Sequence, residues 1–274
     1  MKFLFLWLEG LCDDESAGRQ ATFLEQCPSL LHSLARDGCS GLLALDSTAG
    51  HPFQQLLRCC VSTERDKSPA AGGLAIRLLT TSEPDRALFA VALSSHPEPP
   101  ALLDASAGAG PLKDALLRKV SEFLNGAEEA PQMLVVHMKV VAGVEAGVDK
   151  GRPPMGGNDA LSRPDLVAIC DDVLRLVSAR PPGTVWTSAA AGPFSAPVAE
   201  APVLRQSAAS PLDPGSRNVF LCVTHRAPGS ARIDQCAQFS ERAIQCHGGY
   251  GVISAHRALA ELAYRAHCTS KFGA

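Results

Sequence analysis

Acids and imidazoles placed where strands end are the residues of this sequence best able to do chemistry. Glu9 closes the stretch "KFLFLWLEGLCDDE", in which the apolar run from Phe3 to Leu8 breaks abruptly into acid. Such a run suits a buried parallel strand whose C-terminal end points a carboxylate into a crevice, where it can bind a metal. The same pattern also describes a strand ending in solvated acids. Two histidines lie on strand-like segments: His137 within "LVVHMKV", and His225 directly after "NVFLCVT", at a carboxyl end where a ligand could sit. His51, His247 and His256 fall in loops or near helix starts. Taken alone, each histidine reads first as one packed at a strand end.

Other chemistries find less support. "HGGYG", His247 to Gly251, lacks the Gly-Lys-Ser/Thr ending of a P-loop and the G-x-G-x-x-G of a dinucleotide turn. Its glycines are expected to permit positive φ and close packing. Of the ten cysteines only Cys59 and Cys60 lie close together, and no C-x-x-C occurs, so the zinc signature is missing. Vicinal disulfides are strained, and nothing marks either residue as a nucleophile. Cys12, Cys39, Cys170 and Cys222 sit in or beside apolar segments, where a reduced thiol behaves as a small hydrophobe. Free thiols and the lack of a recognised targeting segment imply a reducing, cytoplasmic setting. The formal net charge is −3 with no basic block, which excludes nucleic acid as a partner. No apolar run approaches the roughly 20 residues that span a bilayer.

The elements that would position these groups alternate. After the first strand, "GRQATFLEQCPSLLHSLARDGCSGLLAL" reads as a helix ending near Arg36, a "DG" turn and a strand from about Gly41 to Leu45. "GHPFQQLLRCCVS" suits a short helix and "ERDKSPAAGG" a solvated loop, while "LAIRLLTT" and "ALFAVALSS" look like two more strands. "HPEPPALLDASAGAGP" reads as a linker. "GPLKDALLRKVSEFLNG" is amphipathic, with Leu112, Leu116, Val120 and Phe123 at near-helical spacing and Gly126 as a stop. "QMLVVHMKV" is the clearest strand. A long helix follows with Asn158 as cap, then the strands "TVWTS" and "NVFLCVTH", and "SAHRALAELAYRAHC" as a closing helix. This order predicts an α/β fold, a mainly parallel sheet sandwiched by helices, with ligands at the carboxyl ends of the strands. Residues 1–274 are expected to form a single domain, with a short insertion at about 61–111.

Four segments carry a family likeness. "FLFLWLEGLCDDE" resembles the opening V-L-x-D-G-L-G-D of the archaeal-type cofactor-independent phosphoglycerate mutases, members of the alkaline phosphatase superfamily. "CPSLLHSLARDGCSGLL" is similar to that family's T-P-N-L-D-x-L-A-x-x-G-x-x-G-L, and "FSERAIQCHGGYGVI" to its F-S-E-R-x-x-x-x-G-G-x-G. "VVHMKVVAGVEAGVDKG" looks, more weakly, like H-x-K-x-x-D-E-A-G-H-D. The anchors occur in the family's order along nearly the whole chain.

The resemblance implies two divalent ions, held by carboxylates and imidazoles, that activate a Ser or Thr alkoxide and stabilise the moving phosphoryl group. Carried over one residue at a time, those ligands thin out. The first-strand Asp falls on Glu9, whose extra methylene displaces the carboxylate. The nucleophile segment falls on "STAGHPFQQLL", where Ser47 and Thr48 are vestigial candidates without the expected acid nearby. The third motif's Asp and His fall on Val144 and Val148, leaving Asp149. After "TVWT" the family's Gly-Asp-His is replaced by "SAAAGPFSAP". The family's substrate-covering domain also has little room, since only residues 61–131 separate "QQLLRCC" from "QMLVVHM".

What this implies is an alkaline-phosphatase-like fold with a reduced or absent cap, and a phosphoglycerate mutase-like protein that is catalytically degenerate. No cofactor is expected, and the chain would act as a binding or structural subunit of a larger assembly or as a homo-oligomer. The Ala- and Pro-rich segments Pro97 to Pro111 and Gly192 to Pro211 are candidate docking loops or plain linkers. The alternative is an active mutase or phosphatase using Mn²⁺, Zn²⁺ or Mg²⁺ in a rearranged site drawn from Glu9, Asp13, Asp149 and His225. A thiol-based enzyme is a third reading.

Overall fold

The computed structural model describes residues 2–11, 23–44, 75–93, 99–127, 132–140, 161–194, 219–225, 234–254 and 258. Its strands are β1 (Lys2–Glu9), β2 (Gly38–Ala44), β3 (Ala75–Thr80), β4 (Ala101–Leu102), β5 (Gln132–Lys139), β6 (Val185–Phe194), β7 (Val219–His225) and β8 (Val252–Ser254). They form one eight-stranded sheet in the order β4-β3-β5-β1-β6-β7-β2-β8. All neighbours are parallel except β7, which runs against both β6 and β2. The expected mainly parallel α/β sheet is present, and the strands beginning near Lys2, Gly41, Gln132, Thr184 and Asn218 all belong to it.

β1 lies at the centre because its apolar run tolerates burial on both faces. Leu4, Leu6 and Leu8 enter one core layer, together with Ala189 and Ala191 of β6 and the helices α2 (Leu30–Asp37), α4 (Ala109–Asn125) and α5 (Arg163–Ser178). Phe5 and Trp7 face the other side and stack on each other, with centroids 6.3 Å apart. The start of the strand is tied down by Lys2, whose Nζ donates to the carbonyls of Leu124 and Gly126 at 2.9 and 2.7 Å. A cation there satisfies carbonyls left open at the C-terminus of α4.

Several expectations are corrected. The segment "ALFAVALSS" is not a strand; most of it belongs to the helix α3 (Glu83–Ala92). Ser82, Glu83, Pro84 and Asp85 form a helix start with Pro in the first turn, and they decide the conformation of an apolar run that could have served either state. Asp85, Phe89 and Leu93 then share the face turned toward the sheet, and all three are buried. The "HPEPPALLDASAGAGP" linker contains β4, and α4 already begins at Ala109. The helix expected to end near Arg36 is two, α1 (Phe23–Gln26) and α2, with Pro28 between them, and β2 follows Asp37 without an intervening turn. The helix expected to be capped at Asn158 begins at Arg163 with Ser162 as its N-cap. Asn158, "GHPFQQLLRCCVS", "ERDKSPAAGG" and all of "SAHRALAELAYRAHC" except residue 258 and the Ser254 end of β8 lie outside the described residues.

Two of the motif segments meet. α6 (Glu241–His247) and the turn after it pack on β2, where Asp234 accepts hydrogen bonds from Ser40 N, Ser40 Oγ, Gly249 N and Cys236 N at 2.6 to 3.0 Å. Gly248 is required at this contact, because a Cβ there would stand 2.5 Å from the Ile244 carbonyl and 2.8 Å from that of Ser40. Gly251 takes φ 57°, as expected of the glycine-rich turn. "HGGYG" is thus a packing device that lets β8 pair with β2.

Candidate functional site

Three neighbouring strands, β3, β5 and β1, bring polar residues to the same face of the sheet at their carboxyl ends. The parallel register sets Thr80 beside His137 and His137 beside Trp7, and sets Lys139 beside Glu9. Side chains alternate along a strand, so Thr80, His137, Lys139 and Glu9 all project toward α3. The first turn of that helix supplies Asp85.

The resulting network is continuous. His137 is fully buried; its Nδ1 lies 2.8 Å from Thr80 Oγ1, its Nε2 3.0 Å from Glu9 Oε2, and its ring meets Phe89 edge-on at 5.1 Å. Glu9 as a carboxylate only accepts, so Nε2–H donates to it and the Nδ1 of a neutral ring accepts from the Thr80 hydroxyl, whose oxygen also accepts the Ser82 N–H at 3.1 Å and lies 3.5 Å from the Ser82 carbonyl as a longer alternative acceptor. Lys139 Nζ stands 2.9 Å from Glu9 Oε1 and 3.0 Å from Asp85 Oδ2, bridging the two carboxylates. Ser82 Oγ donates to the same Asp85 oxygen at 2.6 Å. Burial, the largest single influence on Lys139, works against its ammonium, but hydrogen bonds and attraction from Glu9 and Asp85 outweigh it and raise its pKa above the ordinary value.

A hydroxyl, an imidazole and a carboxylate in line could relay a proton, but Thr80 is completely buried and so cannot reach a substrate as a nucleophile. The arrangement can bind a cation. Glu9, Asp85 and His137 each offer one ligand atom, and those atoms lie within 4.8 Å of one another. Lys139 already holds both carboxylates, and the β6 residue in register with Glu9 is Gly192, which supplies no ligand. The described residues therefore do not fit a pair of divalent ions. They could hold one only if Lys139 withdrew.

Of the residues singled out from sequence, Glu9 is in this network. Ser47, Thr48, Asp13 and Asp149 lie outside the described residues. His225 does end its strand, β7, but at the other end of the sheet from Glu9. β7 runs backwards, so His225 pairs with Thr187 near the start of β6, whereas Glu9 pairs with Gly192 near its end. Five residues of strand separate the two levels, about 16 Å. Sequence reasoning missed Asp85, Lys139 and Thr80. The two-residue spacing of His137 and Lys139, and the helix start at "SEPD", are the signals that carry them.

Burial, followed by the Asp171 charge, pushes the Cys170 pKa far up, and burial is also the leading cause of the raised values of Cys27 and Cys236, so the surroundings of these three thiols disfavour the thiolate. No helix among the described residues is long and apolar enough to cross a membrane.

No family model matches the sequence, and the comparison with curated proteins gives no match. Among solved structures, the chain is similar to a protein in the alkaline phosphatase superfamily from Vibrio parahaemolyticus, with a TM-score of 0.44 and 9% sequence identity. The match covers 83% of this chain and 61% of that one, so the chain spans about three fifths of that protein's length.

Proposed function

We propose that this chain is a phosphoglycerate mutase-like protein without mutase activity, which needs no metal and serves as a binding or structural subunit of a larger assembly. The observation that supports the reading is the position of Lys139, whose ammonium answers the charge of both Glu9 and Asp85. Metal-dependent phosphoryl transfer uses such strand-end carboxylates to hold ions that polarise the phosphoryl oxygens and activate the nucleophile. Here an internal cation takes that role without offering an open coordination position. The sheet edge formed by β4, with Val91 and Leu102 exposed beside it, is the surface the reading offers to a partner.

The second reading is a phosphatase or mutase using a single divalent ion, favoured by the Glu9, Asp85 and His137 ligand atoms. It requires Lys139 to leave its partners. Metal analysis of the purified protein, hydrolysis of p-nitrophenyl phosphate with added Mn²⁺, and native mass spectrometry of gentle lysate separate the two. The proposal expects substoichiometric metal, no turnover above background and a species larger than one chain. Stoichiometric Zn²⁺ or Mn²⁺ accompanied by turnover would overturn it.

A further inference from the structure

The helix α3 carries apolar side chains on two sides. Asp85, Phe89 and Leu93 face the sheet and are buried, while Pro84, Ala87, Leu88 and Val91 line the opposite side. Residues three, four and seven positions apart share one stripe of a helix, so these four make a continuous seam. All four are exposed, Val91 at 67% and Leu88 at 42%. Exposed apolar residues scattered singly are ordinary, but a seam without an interrupting polar group is the pattern that packs against another helix. Glu83 and Arg86, the other charged residues of α3 besides buried Asp85, lie 3.6 Å apart and answer each other. The edge strand beside α3 is a poor template for strand addition: β4 is two residues long and follows Pro99 and Pro100, which have no N–H to offer. Association at this edge is left to side chains.

We infer that a second copy of this chain covers the seam, the two α3 helices lying antiparallel about a two-fold axis between Ala87 and Leu88. The seam is palindromic about that point. Pro84 falls opposite Val91 of the second copy and Ala87 opposite its Leu88, so each larger side chain meets a smaller one. A two-fold contact sets a surface against itself, which a charged stripe would resist and this neutral one does not. A charged partner would find no counter-charge along the seam. The inference rests on the proposed reading of the chain as a subunit of an assembly, and it names the partner.

Analytical ultracentrifugation of the purified whole chain tests it. The wild type should sediment as a reversible dimer with a Kd in the micromolar range, as suits a small contact. Ala87→Glu and Ala87→Lys replace an exposed residue by good helix formers, so both should fold. Each should weaken the dimer by about tenfold or more, because like charges then meet near the axis. Mixed in equal amounts, the two variants should associate again, a recovery that a general loss of folding would not produce. A wild type that stays monomeric up to about 1 mM overturns the inference, and so does a mixture that associates no better than either variant alone. That failure is distinct from failure of the proposed function: a monomeric pure chain found in a larger species in gentle lysate keeps the assembly and discards the second copy. A dimer with stoichiometric Mn²⁺ and turnover does the reverse.

Discussion

Asp171 of α5 accepts a hydrogen bond from the Ser29 hydroxyl at 2.7 Å and a second from the Leu30 N–H at 2.8 Å. A carboxylate from one helix thereby caps the first turn of another, while Ser29 itself accepts from Leu31 N. The start of α2 is therefore capped twice, by its own Ser29 and by Asp171 of α5. Asp171→Ala should cost about 1–2 kcal/mol, in the range of a lost N-cap, and urea denaturation will measure it. A loss below about 0.3 kcal/mol would show that Ser29 caps the helix unaided.

Lys139→Met removes the bridge but keeps much of the side chain's length. Two carboxylates then face each other without their shared cation, and stability should fall by about 1–2 kcal/mol, the lower range because the ammonium is partly solvated. The same change frees the Glu9, Asp85 and His137 ligand atoms. Zn²⁺ should therefore raise the melting temperature of Lys139→Met more than that of the wild type. Equal shifts in the two proteins would count against an internal cation that competes with metal.

The pH dependence of that gap has a defined sign. Lys139 has its folded pKa raised, so its contribution is fully present below the unfolded value, about 10.4, and disappears as pH rises through the higher folded value. Urea melts of wild type and Lys139→Met should differ by a constant amount from pH 7 to about 10 and converge at higher pH. A gap already closed at pH 9 would contradict the bridge.

Asp234 and Gly248 hold the glycine-rich turn to β2 from two sides. Asp234→Ala strands several donors at once and should cost about 2–4 kcal/mol. Gly248→Ala forces a methyl group against backbone carbonyls and should destabilise comparably. Because both act at Ser40, their effects in the double variant should sum to less than the two single losses, as a thermodynamic cycle will show.

Among the described thiols, Cys246 is exposed while Cys39 and Cys170 are buried. Mass-spectrometric mapping after brief iodoacetamide treatment at pH 7.5 should find Cys246 modified and the two buried thiols intact. Rapid labelling of Cys170 in the folded protein would show that α5 opens far more readily than its packing implies.

The strands β1 and β5 were legible because continuous apolar runs have few other uses in a chain of this composition. α3 was not, because Ala, Leu, Phe and Val in "ALFAVALSS" suit either state and the deciding residues stand before the run. Glu9 was legible from its place at a strand end. Its partners were not, since His137 lies 128 positions away and an apolar pattern carries no inter-strand register. Strand direction is equally silent in such patterns, so the carboxyl end of β7 could be read for His225 but not the distance from there to Glu9.

The central place of β1 has a consequence for how the chain is made. Its two neighbours are β5 and β6, so the most apolar strand leaves the ribosome long before either partner exists. At 5–20 residues per second, the separation between Glu9 and His137 corresponds to a delay on the order of ten seconds. For that interval an uncharged six-residue segment of high β propensity is unpaired, the profile of a self-associating sequence. Nascent chains stalled before residue 132 should therefore bind a holdase chaperone through residues 3–8, and chains stalled after β6 has emerged should release it.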